Sequence, residues 1–289
     1  MEKIKINEKI FYYILLGLFS IFSIFPLYWM VASSIRPYTE VYQTPPLLFT
    51  TNLDFSAYKT VLTLTPFIKM FWNSLYISII TTIICTIFSA MAGHSLARMK
   101  FKGKKLITRG VLVAYIFPQI LLVLPLYVLL VNFGLGNSHF GLILTYMTFS
   151  FPFCVWMLTA YFLTIPEDLE EAAYIDGASK FRVFTTIILP LSKPGLAAAA
   201  IFTFIHAWNE FLYALVFLNS DSKATLAVGI YRLMSGEIFD WQAILASSTM
   251  MVFPILIIYL LAVCLPTICW YAIIRMEHGK HQRLHPINL

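Results

Sequence analysis

Apolar residues gather into six stretches long enough to cross a bilayer, at roughly 11–33, 73–93, 109–131, 141–163, 196–218 and 249–271. A spanning helix needs about 20 such residues. None of the six carries Lys or Arg in its central part, as the cost of inserting a charge requires. The pattern predicts an all-α fold, a polytopic membrane bundle of six transmembrane helices. The first stretch exceeds a signal-peptide core and no A-x-A-like cleavage site closes it, so it reads as a retained span. Pro26, Pro118, Pro125, Pro152, Pro254 and Pro266 fall within spans. Each removes a backbone hydrogen bond and tends to kink its helix. Kinks suit a bundle that opens and closes, although proline is common in spanning helices generally.

The connections differ sharply in character. The one from about Ser34 to Trp72 holds Pro37, Pro45, Pro46 and Pro66 and reads as an irregular connector. That from Gly134 to Phe140 is short and uncharged, a tight turn between antiparallel helices. Asn219 to Ser248 is too long for a turn and too apolar for a free linker, so it is expected to fold back or touch a partner. The chain therefore divides into 1–70 (tail, first span and first loop), a core of 71–270 and a tail of 271–289.

The most polar long connection runs from Thr164 to Pro194. Thr164 with Glu167 is a capping-box pattern, and Pro166 suits a first helical turn. Asp168, Glu170 and Glu171 place negative charge where the helix dipole favours it. Leu169, Ala172, Ala173 and Ile175 form a short apolar face. Asp176-Gly177 then breaks the helix, because glycine tolerates the left-handed backbone of a sharp bend. A second helix is predicted from about Ser179 to Ile188, stopped by Leu189-Pro190. The small Ala172-Ala173 pair would let another surface approach closely. A helix lying on the inner leaflet is the plain alternative. Such helices are usually rich in Lys and Arg on their polar face. The Glu-Asp-Leu-Glu-Glu start is one that anionic lipid repels, which favours a protein partner.

Composition and charge narrow the class. The 289 residues are 60% hydrophobic and 12% charged, against about one quarter charged in a soluble domain. The net charge of +6 belongs to topology, not to nucleic-acid binding. With the N-terminus inside, fifteen Lys and Arg fall in cytoplasmic segments and five outside, which places both termini in the cytoplasm. The run Arg98 to Lys105 is the strongest anchor and can lie against anionic lipid. Cys85, Cys154, Cys264 and Cys269 sit in or beside apolar stretches without metal-ligand spacing, and read as packing residues.

Polar groups interrupt the fifth span at His206, Asn209 and Glu210, with His206 and Glu210 four apart on one face. Ionisable groups at that depth usually face a cavity or a partner. They can make a structural contact within the bundle or line a solute path; a metal site lacks further ligands. Trp208 and Phe211 offer aromatic faces that fit either solute stacking or the core.

The spacing of Glu171-Ala172-Ala173, Gly177, Ile187 and Leu189-Pro190 resembles the EAA loop of permease subunits of ATP-binding-cassette importers. Asn73-Ser74-Leu75, Ala97 to Lys104, Pro125-Leu126-Tyr127 and Trp208-Asn209-Glu210-Phe211 are similar to segments of the maltose-type carbohydrate-uptake permeases. The likeness is strongest from about Asn73 to Pro266. It implies a type I importer permease fold. The loop would be a coupling helix docked on a cytoplasmic ATPase dimer, with a second permease subunit, an extracytoplasmic solute-binding protein and a sugar-like solute as partners. No cofactor is implied. Two features depart from the family: His94 stands where an aromatic residue is often found, and Arg275 to Leu289 does not look like the glycine- and glutamine-bearing tail usual there.

No G-x-x-x-x-G-K-[ST] loop, H-E-x-x-H pair or G-x-S-x-G elbow occurs. Energy must come from another subunit or from an ion gradient. An ion-coupled secondary transporter remains open, with Glu210 as its one candidate for the coupling ion and no internal repeat in support. A non-transporting membrane scaffold remains open as well.

Overall fold

The computed structural model describes residues 6–234 and 240–260, and every regular element among them is helical. In chain order these are α1 (Ile6–Ser34), α2 (Tyr38–Val41), α3 (Ser56–Leu64), α4 (Phe67–Arg98), α5 (Lys104–Ile116), α6 (Val123–Asn132) and α7 (His139–Leu163). Then follow α8 (Asp168–Ile175), α9 (Lys180–Val183), α10 (Leu189–Leu191), α11 (Lys193–Asn209), α12 (Leu212–Phe217) and α13 (Leu226–Met234). The last described helix is α14 (Trp241–Leu260). Residues 261–271 of the sixth stretch, Cys264, Cys269, Pro266 and the 271–289 tail lie outside the described residues.

Three expected spans are single long apolar helices, α1, α4 and α7, and α14 covers the described part of the sixth, starting at Trp241 within the segment expected as a connection. The third is not straight. α5 ends before Pro118, and Lys104–Ile116 makes an angle of 95° with Gln119–Asn132. Phe117 takes an extended backbone (φ −62°, ψ 132°), because a following proline ring crowds the helical conformation. The fifth is broken too: α11 stops at Asn209 and α12 starts at Leu212. Pro152, by contrast, is absorbed inside α7 and Pro26 inside α1.

The contacts group the chain into two compact units. One comprises the described residues up to Phe71 together with those of 228–234 and 240–253. Its connection after α1 is more ordered than an irregular connector. α3 buries Ala57 and Val61. Tyr58 shares a hydrogen bond of 2.6 Å with Ser34. Buried Arg36 donates to the Leu48 carbonyl at 2.9 Å, lies 4.8 Å from the Trp29 ring centre, and accepts at its own carbonyl from Gln242 at 2.6 Å. Four prolines do not prevent order where such side chains satisfy the backbone.

The second unit, 72–227 with 254–260, is built on α7. Its apolar window is 61% buried, and α5 and α11 pack against it. Cys85, Cys154, Leu158, Phe162, Val183, Ile188 and Ala199 form one core cluster. Cys154 Sγ lies 3.3 Å from Thr203 Oγ1, so both buried thiols act as packing residues. α11 seats on α7 through Gly195, where a Cβ would fall 2.7 Å from the Tyr161 ring. Within the connection expected at 219–248, the part at 219–227 is held on α4. Asn73 donates to the carbonyls of Ser222 and Ala224 at 3.1 and 2.9 Å, and Ser74 accepts from the Leu226 N–H at 2.8 Å. Those bonds give the Asn73-Ser74 pair its role. Between α6 and α7 the turn relies on Gly134 (φ 72°) and Asn137 (φ 49°).

Candidate functional site

The connection between α7 and α11 forms a bent helical hairpin. Its first arm is α8, with three carboxylates in the first turn. The predicted capping box does not form. Thr164 Oγ1 donates back to the Tyr161 carbonyl at 2.7 Å. Glu167 turns away to Arg98 Nη1 at 3.2 Å.

The bend is a Schellman closure. Gly177 N–H donates to the Tyr174 carbonyl and Ala178 N–H to the Ala173 carbonyl, both at 3.0 Å. Gly177 adopts φ +82°, a region that side chains with a Cβ rarely enter. Ala173 and Ala178 both pack against the core cluster, the apolar contact that accompanies this motif.

The second arm departs from the expected single helix. Ser179 caps α9 by accepting from Arg182 N–H at 3.3 Å. The backbone then widens into a π turn, Phe184–Ile188, before α10. Pro190 has no N–H to bring to the Thr186 carbonyl, and a wider turn accommodates the missing bond. Leu189-Pro190 therefore does not end the helix; the chain turns at Ser192, with 77° between Lys180–Leu191 and Lys193–Asn209.

α8 splits its short apolar face: Ala173 packs on the core cluster, and Leu169, Ala172 and Ile175 are exposed. Its buried residue is a carboxylate, Glu170, 5% exposed. Ile175 is 87% exposed and Leu169 44%. Glu171 and Ala172 are also exposed, and Phe181 on the second arm is 72% exposed. Ile187 and Leu189 are half-buried against the core cluster, and Pro190 is exposed. Of the seven motif residues, then, Ala173, Ile187 and Leu189 anchor the hairpin. Gly177 bends it, and Glu171, Ala172 and Pro190 remain on its surface. A pocket of about 640 Å³ opens beside it, lined by Met91, His94, Tyr174, Phe181 and Phe184 among others. Burial, and then the nearby Glu170 carboxylate, hold the Tyr174 hydroxyl above its ordinary range.

Sequence reasoning missed what fastens the hairpin. Arg98, read as a lipid-facing anchor, has a side chain 10% exposed and turned into the protein. Its Nε donates to Glu170 Oε1 at 2.6 Å, and Nη2 donates to the Ile165 carbonyl. His94 lies 4.9 Å from the Phe184 ring and 5.7 Å from that of Phe162. It fills the aromatic slot as an aromatic, and its Nε2 sits 3.7 Å from Glu170 Oε2. One signal was present: Glu167 and Glu170 are three apart, so they share a helix face and call for a cation.

The polar residues of the fifth span sit at its break. Glu210 Oε1 accepts from Tyr213 N–H at 2.8 Å and Oε2 from Ala214 N–H at 3.1 Å. Its carboxylate satisfies orphan donors at the start of α12. Trp208 is 1% exposed and stacks on Phe204 at 5.7 Å. Asn209 ends α11 on an exposed face, and His206 is half-buried beside Phe202 at 6.1 Å. The structure thus brings Glu210 to a structural contact and Trp208 to the core. Among the described residues no group of three His, Cys, Asp or Glu could hold a metal ion.

Comparison with known proteins agrees with this architecture. Residues 86–275 match the family described as binding-protein-dependent transport system inner membrane component. The inner membrane ABC transporter permease protein YcjP of Escherichia coli is 32% identical over 257 residues, 88% of this chain and 92% of its own length. The trehalose/maltose transport system permease protein MalG of Thermococcus litoralis is 36% identical over 248 residues, 84% of this chain and 88% of the relative. A subunit in the crystal structure of a bacterial importer of the acidic polysaccharide alginate shares the fold. It superposes with a TM-score of 0.77 at 23% identity, covering 94% of this chain and 99% of that one. The chain belongs to the binding-protein-dependent transport system inner membrane component family. It is a multi-pass inner-membrane permease subunit of an ABC importer of the carbohydrate-uptake type.

Proposed function

We propose that this chain forms half of the membrane path for a sugar or sugar-like solute, and that its 164–194 loop docks through the hairpin on a cytoplasmic ATPase dimer. A second permease subunit completes the path across the core of 71–270. A solute-binding protein delivers from outside, both termini lie in the cytoplasm, and the ATPase performs the hydrolysis. The observation that carries the docking role is the hairpin's surface. Ala172 leaves the α8 backbone open to approach, while Ile175 and Phe181 stand 87% and 72% exposed. Exposed apolar side chains on a firmly anchored, otherwise polar element mark a protein-binding surface. Support for the solute class comes from relatives named for trehalose/maltose and diacetylchitobiose uptake.

The test is ATP-dependent uptake of labelled trehalose, maltose and diacetylchitobiose by vesicles holding the assembled complex. Ala172→Glu places charge on the docking face and should abolish uptake with insertion intact. Normal uptake in that variant overturns the docking role. Uptake driven by a proton or sodium gradient without ATP overturns the importer reading.

A further inference from the structure

The hairpin is covalently joined to two helices, α7 and α11. Motion applied to it reaches other helices through contacts alone. The strongest polar contact goes to α4, 72 residues away in sequence. Arg98 is the last residue of α4, where the helix dipole favours a cation. Its three donors reach three acceptors at the start of α8: Glu170 Oε1 at 2.6 Å, Glu167 Oε1 at 3.2 Å, and the Ile165 carbonyl. Glu170 is buried, so its carboxylate depends chiefly on these protein partners. Beside this clamp the π turn of the second arm sets Phe184 against His94 of the same α4. Both arms are thereby tied to one helix end.

We propose that Arg98 is a positioning residue that makes α4 and the hairpin move as one body, so that displacement of the hairpin is delivered to a helix the chain does not join to it. This rests on the docking role proposed above. A planar guanidinium suits the task, since its donors point in fixed, divergent directions; a lysine ammonium cannot hold three such acceptors in one plane. A clamp of this kind is a physical element through which coupling can travel.

The experiment uses the whole complex with its ATPase, carrying nitroxides at Ile79 on α4 and Thr186 on the second arm. Both positions are exposed. The labels are introduced by a chemistry orthogonal to thiols, because the chain has cysteines of its own. Interlabel distance is measured without nucleotide and after trapping with ATP and vanadate. With Arg98 present the distance should be the same in both states. In Arg98→Gln it should differ between them, and in Arg98→Lys it should broaden. Should Arg98→Gln fail to assemble, the pair Arg98→Leu with Glu170→Met removes the clamp without stranding a buried charge, and should show the same loss. A distance that changes in the native complex, or one that stays constant in the clamp-free variants, overturns the proposal. A separate label at Ile175 reports docking. If that label stays mobile in the complex, the docking role fails. If it is immobilised while the Ile79–Thr186 distance wanders in the native complex, the clamp alone fails.

Discussion

Replacing Gly177 isolates one physical term, because the site is sterically empty. A Cβ built there meets nothing within 4 Å, so Gly177→Ala costs only the left-handed backbone at φ +82°. That strain is about 1–2 kcal/mol. Reduced freedom in the unbent chain returns about 0.4–1 kcal/mol. The balance is on the order of 1 kcal/mol, which lowers the population of the closed bend about fivefold. Asparagine visits this region more readily, so Gly177→Asn should fall between glycine and alanine. Gly177→Pro cannot adopt the conformation, and it deletes the N–H that donates to Tyr174. It should cost about 3 kcal/mol or more. Two assays read the series. Hydrogen exchange at the Ala178 amide, which closes the bend onto Ala173, reports the bend itself. ATP-dependent uptake reports its consequence. Both should rank Gly, Asn, Ala, Pro. If alanine matched glycine while asparagine fell below it, backbone strain would not be what sets the bend.

Two further substitutions probe the bundle. Gly195→Ala should lower the melting temperature of the detergent-purified complex, since the new methyl would fall 2.7 Å from the Tyr161 ring, an overpacking cost of about 1–3 kcal/mol. Adding Tyr161→Ala should recover much of the loss, and a recovery of zero would show that the two helices do not meet there. Glu210→Gln keeps one oxygen for the two N–H groups of Tyr213 and Ala214, a loss on the order of 1 kcal/mol. A lower melting temperature with unchanged solute preference is expected; changed preference with unchanged melting would assign Glu210 to the solute path instead.

The hairpin and the broken spans show where sequence and structure part. Apolar run length determined the class of fold, because a bilayer demands about 20 apolar residues wherever they occur along the chain. Asp176-Gly177 determined the bend, since a helix stop of this kind is a local backbone property. The acidic start of α8 was equally legible from the helix dipole alone. What tertiary structure decided was the direction in which side chains turn. Glu170 points inward and Ile175 outward because Arg98 waits on another helix; residue type by itself did not say which side of α8 faces the protein. Glu210 became a cap because the chain breaks at that point. The third span bends by 95° at Pro118, while α7 accommodates Pro152 within one continuous helix. Proline supplies the tendency to kink, and the packing around it selects whether the helix yields. Local backbone preferences depend on a few consecutive residues and can be read from them. The pairing of a buried charge depends on distance in space, which sequence order does not encode.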